Sequence, residues 1–211
     1  NTMKPLADRN WDSGWWGSNH CDQSSTTICG AGDTGIDGAP LFTGFVGTRS
    51  SWTAQNTVNA LHEATHVYQK LQLKDYLNSM PCWYAEGQAT LYGIALGRLA
   101  QPMGLSRGRE FSELASRLPE STTWGIAEWA TALKTYENFG GECQSTHFGY
   151  AVGYLVNEKL MDQFGHPKVL EWERLSASTK NWRTAFSTVF GVTVEDWYRD
   201  KAAPYIDPQA R

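Results

Sequence analysis

The string His62-Glu63-Ala64-Thr65-His66 is the feature that most constrains this chain. Residues four apart in an α-helix lie one above the other, so two imidazoles at this spacing can share one metal ion. Glu63 is rotated from His62 by about 100° around such a helix, which places its carboxylate beside the ion. The pattern predicts His62 and His66 as zinc ligands and Glu63 as the general base. The alternative is two histidines on a helix face beside a solvated glutamate.

A zinc site of this kind needs a third protein ligand, and Glu86 is the candidate. It follows His66 with 19 residues between them, among apolar neighbours that include Trp83, Ala85 and Leu91. An unpaired carboxylate is costly in such surroundings, and a metal ion would compensate its charge. The alternative is an ordinary surface acid on a helix.

The segment that carries Glu86 extends the pattern. The chain resembles the gluzincin metallopeptidases, the thermolysin-like superfamily, in which H-E-x-x-H is followed by a second helix with W-x-x-E-G-x-A. Trp83, Glu86, Gly87 and Ala89 match that second motif, and the resemblance covers roughly residues 54–206. It implies a zincin-like helical domain that holds one Zn²⁺ ion. It also implies hydrolysis of peptide bonds in a peptide or protein substrate by a zinc-activated water.

In gluzincins a tyrosine or histidine donates a hydrogen bond to the oxyanion that forms during hydrolysis. The resemblance points here to Tyr150 first, His147 second and Tyr154 third. The three fall at i, i+3 and i+7, so they share one face of a helix. The alternative is that such an aromatic stripe belongs to the core.

The chain departs from the family pattern in two places. Members often have an acidic residue one turn after the third ligand, where it orients a zinc histidine; this chain has Thr90 there. The G-x-M-E-N signature of the aminopeptidase branch is also missing, so the expected activity is that of an endopeptidase.

Length, charge and hydropathy exclude several classes of protein. The 211 residues suit one domain, 1–211, and 41% hydrophobic residues argue against general disorder. A formal charge of -4 without a basic stripe makes nucleic acid an improbable partner. No apolar run approaches the roughly 18 residues of a membrane span, so we expect no membrane insertion.

The periodicity predicts a mainly α (α+β) fold. Residues 1–50 form an irregular Trp- and Gly-rich portion whose best strand candidate is Leu41–Val46, and 51–211 form the helical, zinc-binding portion. A loop is expected at 140–143, and Thr193 with Asp196 resembles a capping box. Helices are predicted at about 54–71, 83–98, 109–118, 122–138, 145–164, 167–176, 181–190 and 194–203.

The four cysteines are Cys21, Cys29, Cys82 and Cys143, with no C-x-x-C spacing. An even number favours two disulfides and a secreted, extracellular protein, and three pairings are open. The alternative is four buried thiols in a cytosolic protein. With the ligand and electrophile helices assigned by the resemblance, a Cys82–Cys143 bridge would tie their starts together, and Cys21–Cys29 would be the other pair.

The N-terminal tryptophans support a second kind of function. Trp11, Trp15 and Trp16 could stack on sugar rings, in a catalytically silent zincin-like domain that binds glycans or proteins. Simple packing in a small disulfide-bound lobe is the alternative for these rings. A narrower form of the peptidase hypothesis is a zinc-dependent toxin or effector with one protein target.

Overall fold

The structure is a computed structural model that describes five stretches of the chain. These are residues 31–34, 40–43, 54–100, 107–138 and 141–207, with side chains described for 57–97, 109–138 and 141–207. The Trp11, Trp15 and Trp16 cluster and the Cys21–Cys29 pair lie outside the described residues, so both remain predictions.

The described part of the chain is mainly α-helical, as predicted. Its longer helices are α1 (Ala54–Leu73), α2 (Cys82–Ala100), α3 (Arg107–Arg117), α4 (Ile126–Thr135), α6 (Phe148–Phe164), α7 (His166–Thr179) and α8 (Trp182–Phe190). Three are single turns: α5 (Glu142–Ser145), α9 (Val194–Trp197) and α10 (Ala203–Ile206). 3-10 turns lie at Lys74–Ser79 and Pro119–Thr123, and a π-helical turn lies at Tyr198–Ala202.

Two short strands, β1 (Ala31–Thr34) and β2 (Pro40–Thr43), form an antiparallel pair with Ala31 opposite Thr43. Both lie beside α1. The predicted strand at Leu41–Val46 overlaps β2 over three residues, and the rest of it falls outside the described residues.

Two predicted helices have different bounds because the backbone breaks inside them. The helix expected at 145–164 is α5 followed by α6, since His147 has a left-handed backbone, φ 66°, that a continuous helix does not allow. The expected loop at 140–143 therefore contains the start of α5. The helix expected at 122–138 begins only at Ile126, because a 3-10 turn and an extended Gly125 precede it.

The last predicted helix, 194–203, is found as three consecutive helical segments, α9, the π-helical turn and α10, which continue it to Ile206. Its predicted cap is confirmed, because Thr193 Oγ1 accepts a hydrogen bond from the backbone N–H of Asp196 at 3.1 Å. This hydrogen bond satisfies one of the free donors at the start of α9.

Helix α2 is the centre of the structure, with α1 on one side and α6 on another. Glycines let the three helices approach closely: a Cβ atom on Gly87 would lie 2.1 Å from the carbonyl carbon of Gly153. A Cβ atom on Gly93 would lie 2.8 Å from the carbonyl oxygen of Val58 and 3.4 Å from Cβ of His62. The backbones of α1, α2 and α6 therefore meet at distances that no larger residue permits.

Aromatic packing anchors the start of α2 to the C-terminal helices. The Trp83 ring is fully buried and stacks on Trp172 at 6.2 Å between centroids. Its Nε1–H donates to the Tyr198 hydroxyl at 2.6 Å, and that hydroxyl donates to Glu137 Oε1 at 2.9 Å. The four tryptophans most deeply buried among the described residues are core residues: Trp83, Trp129, Trp172 and Trp197.

A sulfur–sulfur contact joins the starts of α2 and α5. The Sγ atoms of Cys82 and Cys143 lie 2.18 Å apart, at disulfide distance and 61 residues apart in the chain. This is the pairing that the sequence analysis favoured. Gly149 lies against the bridge, since a Cβ atom there would be 2.7 Å from the Cys82 sulfur.

Among the described helices, none combines the length and the apolar character needed to cross a membrane.

We expect Gly87→Ala to destabilise the protein, because the added methyl group would strike the backbone of Gly153 rather than a movable side chain. Overpacking costs about 1–3 kcal/mol or more, which exceeds the roughly 1 kcal/mol that alanine gains over glycine in a helix. Urea unfolding of the metal-free protein measures the change.

The matched control for this substitution is Gly125→Ala, where a Cβ atom meets only the flexible Glu128 carboxylate at 3.3 Å. Gly125 precedes α4, and replacing a cap glycine by alanine there should cost no more than about 1 kcal/mol. Equal losses in the two variants would contradict the close helix contact.

Candidate metal centre

Three side chains from two helices converge at one point. His62 and His66 project from α1 and Glu86 projects from α2. The two Nε2 atoms are 3.1 Å apart, and Glu86 Oε2 lies 3.3 Å from Nε2 of His62 and 3.4 Å from Nε2 of His66. The sequence-predicted ligand set is therefore brought together, each residue offering one nitrogen or oxygen atom.

The size of this triangle matches the coordination sphere of a small divalent ion. Ligand atoms about 2.0–2.1 Å from a tetrahedral ion are separated from one another by about 3.3 Å, and the three observed edges are 3.1, 3.3 and 3.4 Å. Such an ion also leaves a fourth position for solvent. The donor set fits a metal ion in number, in type and in spacing.

The electrostatics of the cluster favour a positive charge at its centre. Glu86 is only 4% exposed. Burial by itself raises the pKa of Glu86, but hydrogen bonds from His62 and His66 outweigh it and hold this pKa well below its ordinary value. Burial lowers the pKa of His66, and the contact with Glu86 outweighs that effect and raises it. The Glu86 carboxylate thus remains ionised, and the imidazoles of His62 and His66 stabilise its negative charge.

Both imidazoles turn their Nε2 atoms inward because their Nδ1 atoms have partners elsewhere. Nδ1 of His66 lies 2.9 Å from Gln69 Oε1. Nδ1 of His62 lies 3.5 Å from Thr90 Oγ1, whose hydroxyl already donates to the carbonyl of Glu86 at 2.8 Å. Thr90 stands where the resembled family often has an acid, so a neutral oxygen takes that place.

Gln144 was missed by sequence reasoning. Its Nε2–H donates to Glu86 Oε1 at 2.7 Å, which leaves Oε2 to face the two imidazoles. Gln144 lies on α5, next to Cys143 and its sulfur contact with Cys82. That adjacency was the available signal, because a bridge to the start of α2 brings the residue after Cys143 near the third ligand.

Glu63 lies on α1 beside the first ligand and is half-buried. Its negative charge helps to raise the pKa of Tyr150, after burial and the charge of Glu86. It also helps to raise the pKa of His66, after Glu86 and Gln69 and against the lowering effect of burial. The Glu63 carboxylate is therefore near enough to His66 and Tyr150 to act on them electrostatically, as expected for a residue beside the candidate ligands.

Tyr150 is the nearest of the three predicted electrophile candidates to the cluster. Its ring stacks on that of His62, with centroids 5.9 Å apart. Burial raises the pKa of Tyr150, and the charges of Glu86 and Glu63 together with a hydrogen bond to Glu86 raise it further. The phenol therefore keeps its proton at neutral pH and remains a hydrogen-bond donor.

The other two candidates are placed differently. His147 packs its ring 5.0 Å from that of Tyr150, and its Nε2 lies 2.8 Å from Glu110 Oε2 on α3. Of these two rings, His147 contacts Tyr150 and Glu110, while Tyr150 contacts His62. Tyr154 is 5% exposed and belongs to the hydrophobic core.

The geometry groups His62, His66 and Glu86 around one point, with the Tyr150 ring against His62 and His147 stacked on Tyr150. Comparison with known proteins adds no assignment: no family model, no curated protein and no solved structure matches this chain.

Proposed function

We propose that the protein is a zinc-dependent metallopeptidase, with His62, His66 and Glu86 as the zinc ligands. The observation that carries the proposal is the triangle of two Nε2 atoms and one carboxylate oxygen with edges of 3.1–3.4 Å. Two imidazoles and one carboxylate are a donor set typical of catalytic zinc, which keeps one position open. The resemblance to gluzincins, a zincin-like fold and endopeptidase activity belong to the same proposal.

A zinc ion in this site would supply Lewis-acid chemistry, polarising the substrate carbonyl and activating a water molecule. Glu63 is the base that takes the proton from the attacking water and passes it to the departing amide nitrogen. Its position one residue after His62, about 100° around the helix, supports this role, because such a carboxylate lies beside a metal ion without taking a coordination position.

Tyr150 donates a hydrogen bond from its phenolic O–H to the oxyanion that forms at the carbonyl oxygen when water attacks the carbon. Its raised pKa supports this role, because the proton stays on the phenol across the neutral range. A preorganised donor at such a position stabilises the charge that develops in the transition state. His147 is the second candidate for this role; it contacts Glu110 on α3, whereas the Tyr150 ring stacks on His62.

The sulfur contact between Cys82 and Cys143 supports an extracellular location, since disulfides persist in oxidising compartments. The proposed substrate is a peptide or protein.

We expect the purified protein to bind one zinc ion per chain, and His66→Ala and Glu86→Gln to abolish that binding at micromolar zinc. Each substitution removes one of three ligands, so the loss should exceed the roughly 10- to 100-fold that an outer partner costs. Elemental analysis after dialysis and titration calorimetry measure stoichiometry and affinity.

The control for the ligand variants is His166→Ala. That imidazole contacts Tyr92 at 2.8 Å on the protein surface, outside the cluster. It should leave zinc binding unchanged. A wild-type chain without zinc, or a His66→Ala chain that keeps it, would contradict the ligand assignment.

Glu63→Gln should keep zinc and lose peptide hydrolysis, because the amide keeps the shape of the side chain but cannot accept a proton. The expected fall in kcat is about 10²- to 10⁴-fold. Cleavage of casein and of a peptide library, each with and without a chelator, measures it. Glu171→Gln, an exposed change on α7 beside Lys168, is the control, and equal activity of the two variants would reject Glu63 as the base.

Tyr150→Phe should lower kcat by about 10²- to 10³-fold, the cost of one oxyanion donor, with little change in KM. It keeps the ring that stacks on His62 and removes only the hydroxyl. His147→Gln should cost less than about tenfold. A larger fall in kcat in His147→Gln than in Tyr150→Phe, with both variants fully loaded with zinc, would assign the oxyanion donor to His147.

A further inference from the structure

A line of buried polar side chains runs from His66 away from the candidate metal centre. Its members are fully buried: Gln69, Tyr84, Gln88 and Glu173 each have 0% of their surface exposed. Buried polar groups of this kind are costly unless each finds a partner of the right type. The donor and acceptor in each of these hydrogen bonds therefore determine which atom of Gln69 faces His66.

The direction is set first at the far end, by Glu173 on α7. Its Oε1 atom accepts from the Tyr84 hydroxyl and from Gln88 Nε2, the latter at 3.1 Å. With its Nε2 directed to Glu173, Gln88 presents Oε1 to Gln69, and this oxygen accepts from Gln69 Nε2 at 2.8 Å.

The carbonyl of Ala85 fixes the next link independently. Gln69 Nε2 donates to it at 3.0 Å, and a backbone carbonyl can only accept. A flipped Gln69 amide would place its oxygen against two acceptors, the Ala85 carbonyl and Gln88 Oε1. Gln69 Oε1 is thereby directed to His66, where it lies 2.9 Å from Nδ1 and must accept the proton there.

We propose that Gln69 is a positioning residue of the metal centre that keeps the proton of His66 on Nδ1. Nε2, which faces Glu86 and His62, is then the nitrogen left to take a metal ion. Gln88 on α2 and Glu173 on α7 hold the Gln69 amide in the required orientation. The metal-binding part of this inference rests on the proposed function.

The Nδ1 atom of His66 has a closer and better oriented partner than the Nδ1 atom of His62. His66 has a partner at 2.9 Å whose own orientation is set by two further acceptors, whereas the Thr90 oxygen is 3.5 Å from Nδ1 of His62. Gln69 also ties α1 to α2 through the Ala85 carbonyl. An experiment must therefore determine which nitrogen of His66 carries the proton, because a purely structural role of Gln69 would not affect that.

The first measurement is ¹⁵N NMR of the imidazoles in the wild-type protein, metal-free and with zinc. We expect Nδ1 of His66 to carry a proton in both states. A deprotonated Nδ1 in the metal-free protein would overturn the proposal. This measurement needs no variant, so it decides the matter even if substitutions in the buried line prevent folding.

The second measurement is zinc affinity, by competition with a chromophoric chelator, in Gln69→Met. Methionine keeps the length of the side chain and removes the acceptor, so the affinity should fall about 10- to 100-fold, as for other outer partners of metal ligands. In this variant the neutral His66 imidazole should carry its proton on either nitrogen, and ¹⁵N NMR would show both tautomers. Unchanged affinity together with an unchanged Nδ1 proton would overturn the proposal.

Two further variants grade the effect. Gln88→Met should weaken zinc binding less than Gln69→Met, because the Ala85 carbonyl still orients Gln69. Tyr198→Phe removes a buried hydrogen bond of Trp83 at the start of the same helix, and should leave zinc affinity unchanged. A loss in Tyr198→Phe as large as that in Gln69→Met would assign the effect to general loosening of α2 and overturn the proposal.

These outcomes separate the two proposals. A wild-type chain that binds no zinc while His66 holds its proton on Nδ1 would overturn the metallopeptidase function and leave the tautomer assignment supported. A wild-type chain that binds zinc while Nδ1 of His66 is deprotonated would support the zinc site and overturn the tautomer assignment.

Discussion

The close contact between the backbones of α2 and α6 is the constraint on which the candidate site depends. Gly87 directly follows Glu86, the third candidate ligand, and meets Gly153 where no side chain fits between the helices. The contact brings Tyr150, one turn before Gly153, against the ring of His62 at the edge of the candidate metal centre. On the other side of α2, Gly93 approaches Val58 and His62 of α1. Two close helix crossings therefore set the distances within the site.

Burial of the Glu86 carboxylate is the second requirement, because a charge in these surroundings must be compensated. Two imidazoles, the amide of Gln144 and the hydroxyl of Tyr150 contribute to that compensation. The groups that accept from the two Nδ1 atoms are uncharged, an amide for His66 and a hydroxyl for His62. Glu86 is thus the only anion among the three candidate ligands, and a divalent ion would leave the set with a net positive charge.

Much of this arrangement could be predicted from spacing within single helices. The four-residue interval of His62 and His66, and the bounds of α1 and α2, follow from local periodicity and agree with the structure within a few residues. The break at His147 could not be predicted, because it rests on a left-handed backbone that histidine rarely adopts and that tertiary contacts must hold. Gln69 carried no signal either, since its role depends on acceptors 16 and 19 residues further along the chain.

The sequence by itself determined which residue types can share a helix face, because the 3.6-residue period of the α-helix is a local property. It therefore indicated the two histidines, the glutamate beside them and the helix that carries Glu86. The tertiary structure alone decided the distances between helices, the choice of Tyr150 over His147 as the nearer aromatic group, and the partners of each Nδ1 atom. Those features depend on contacts between segments distant in the chain, which no local pattern encodes.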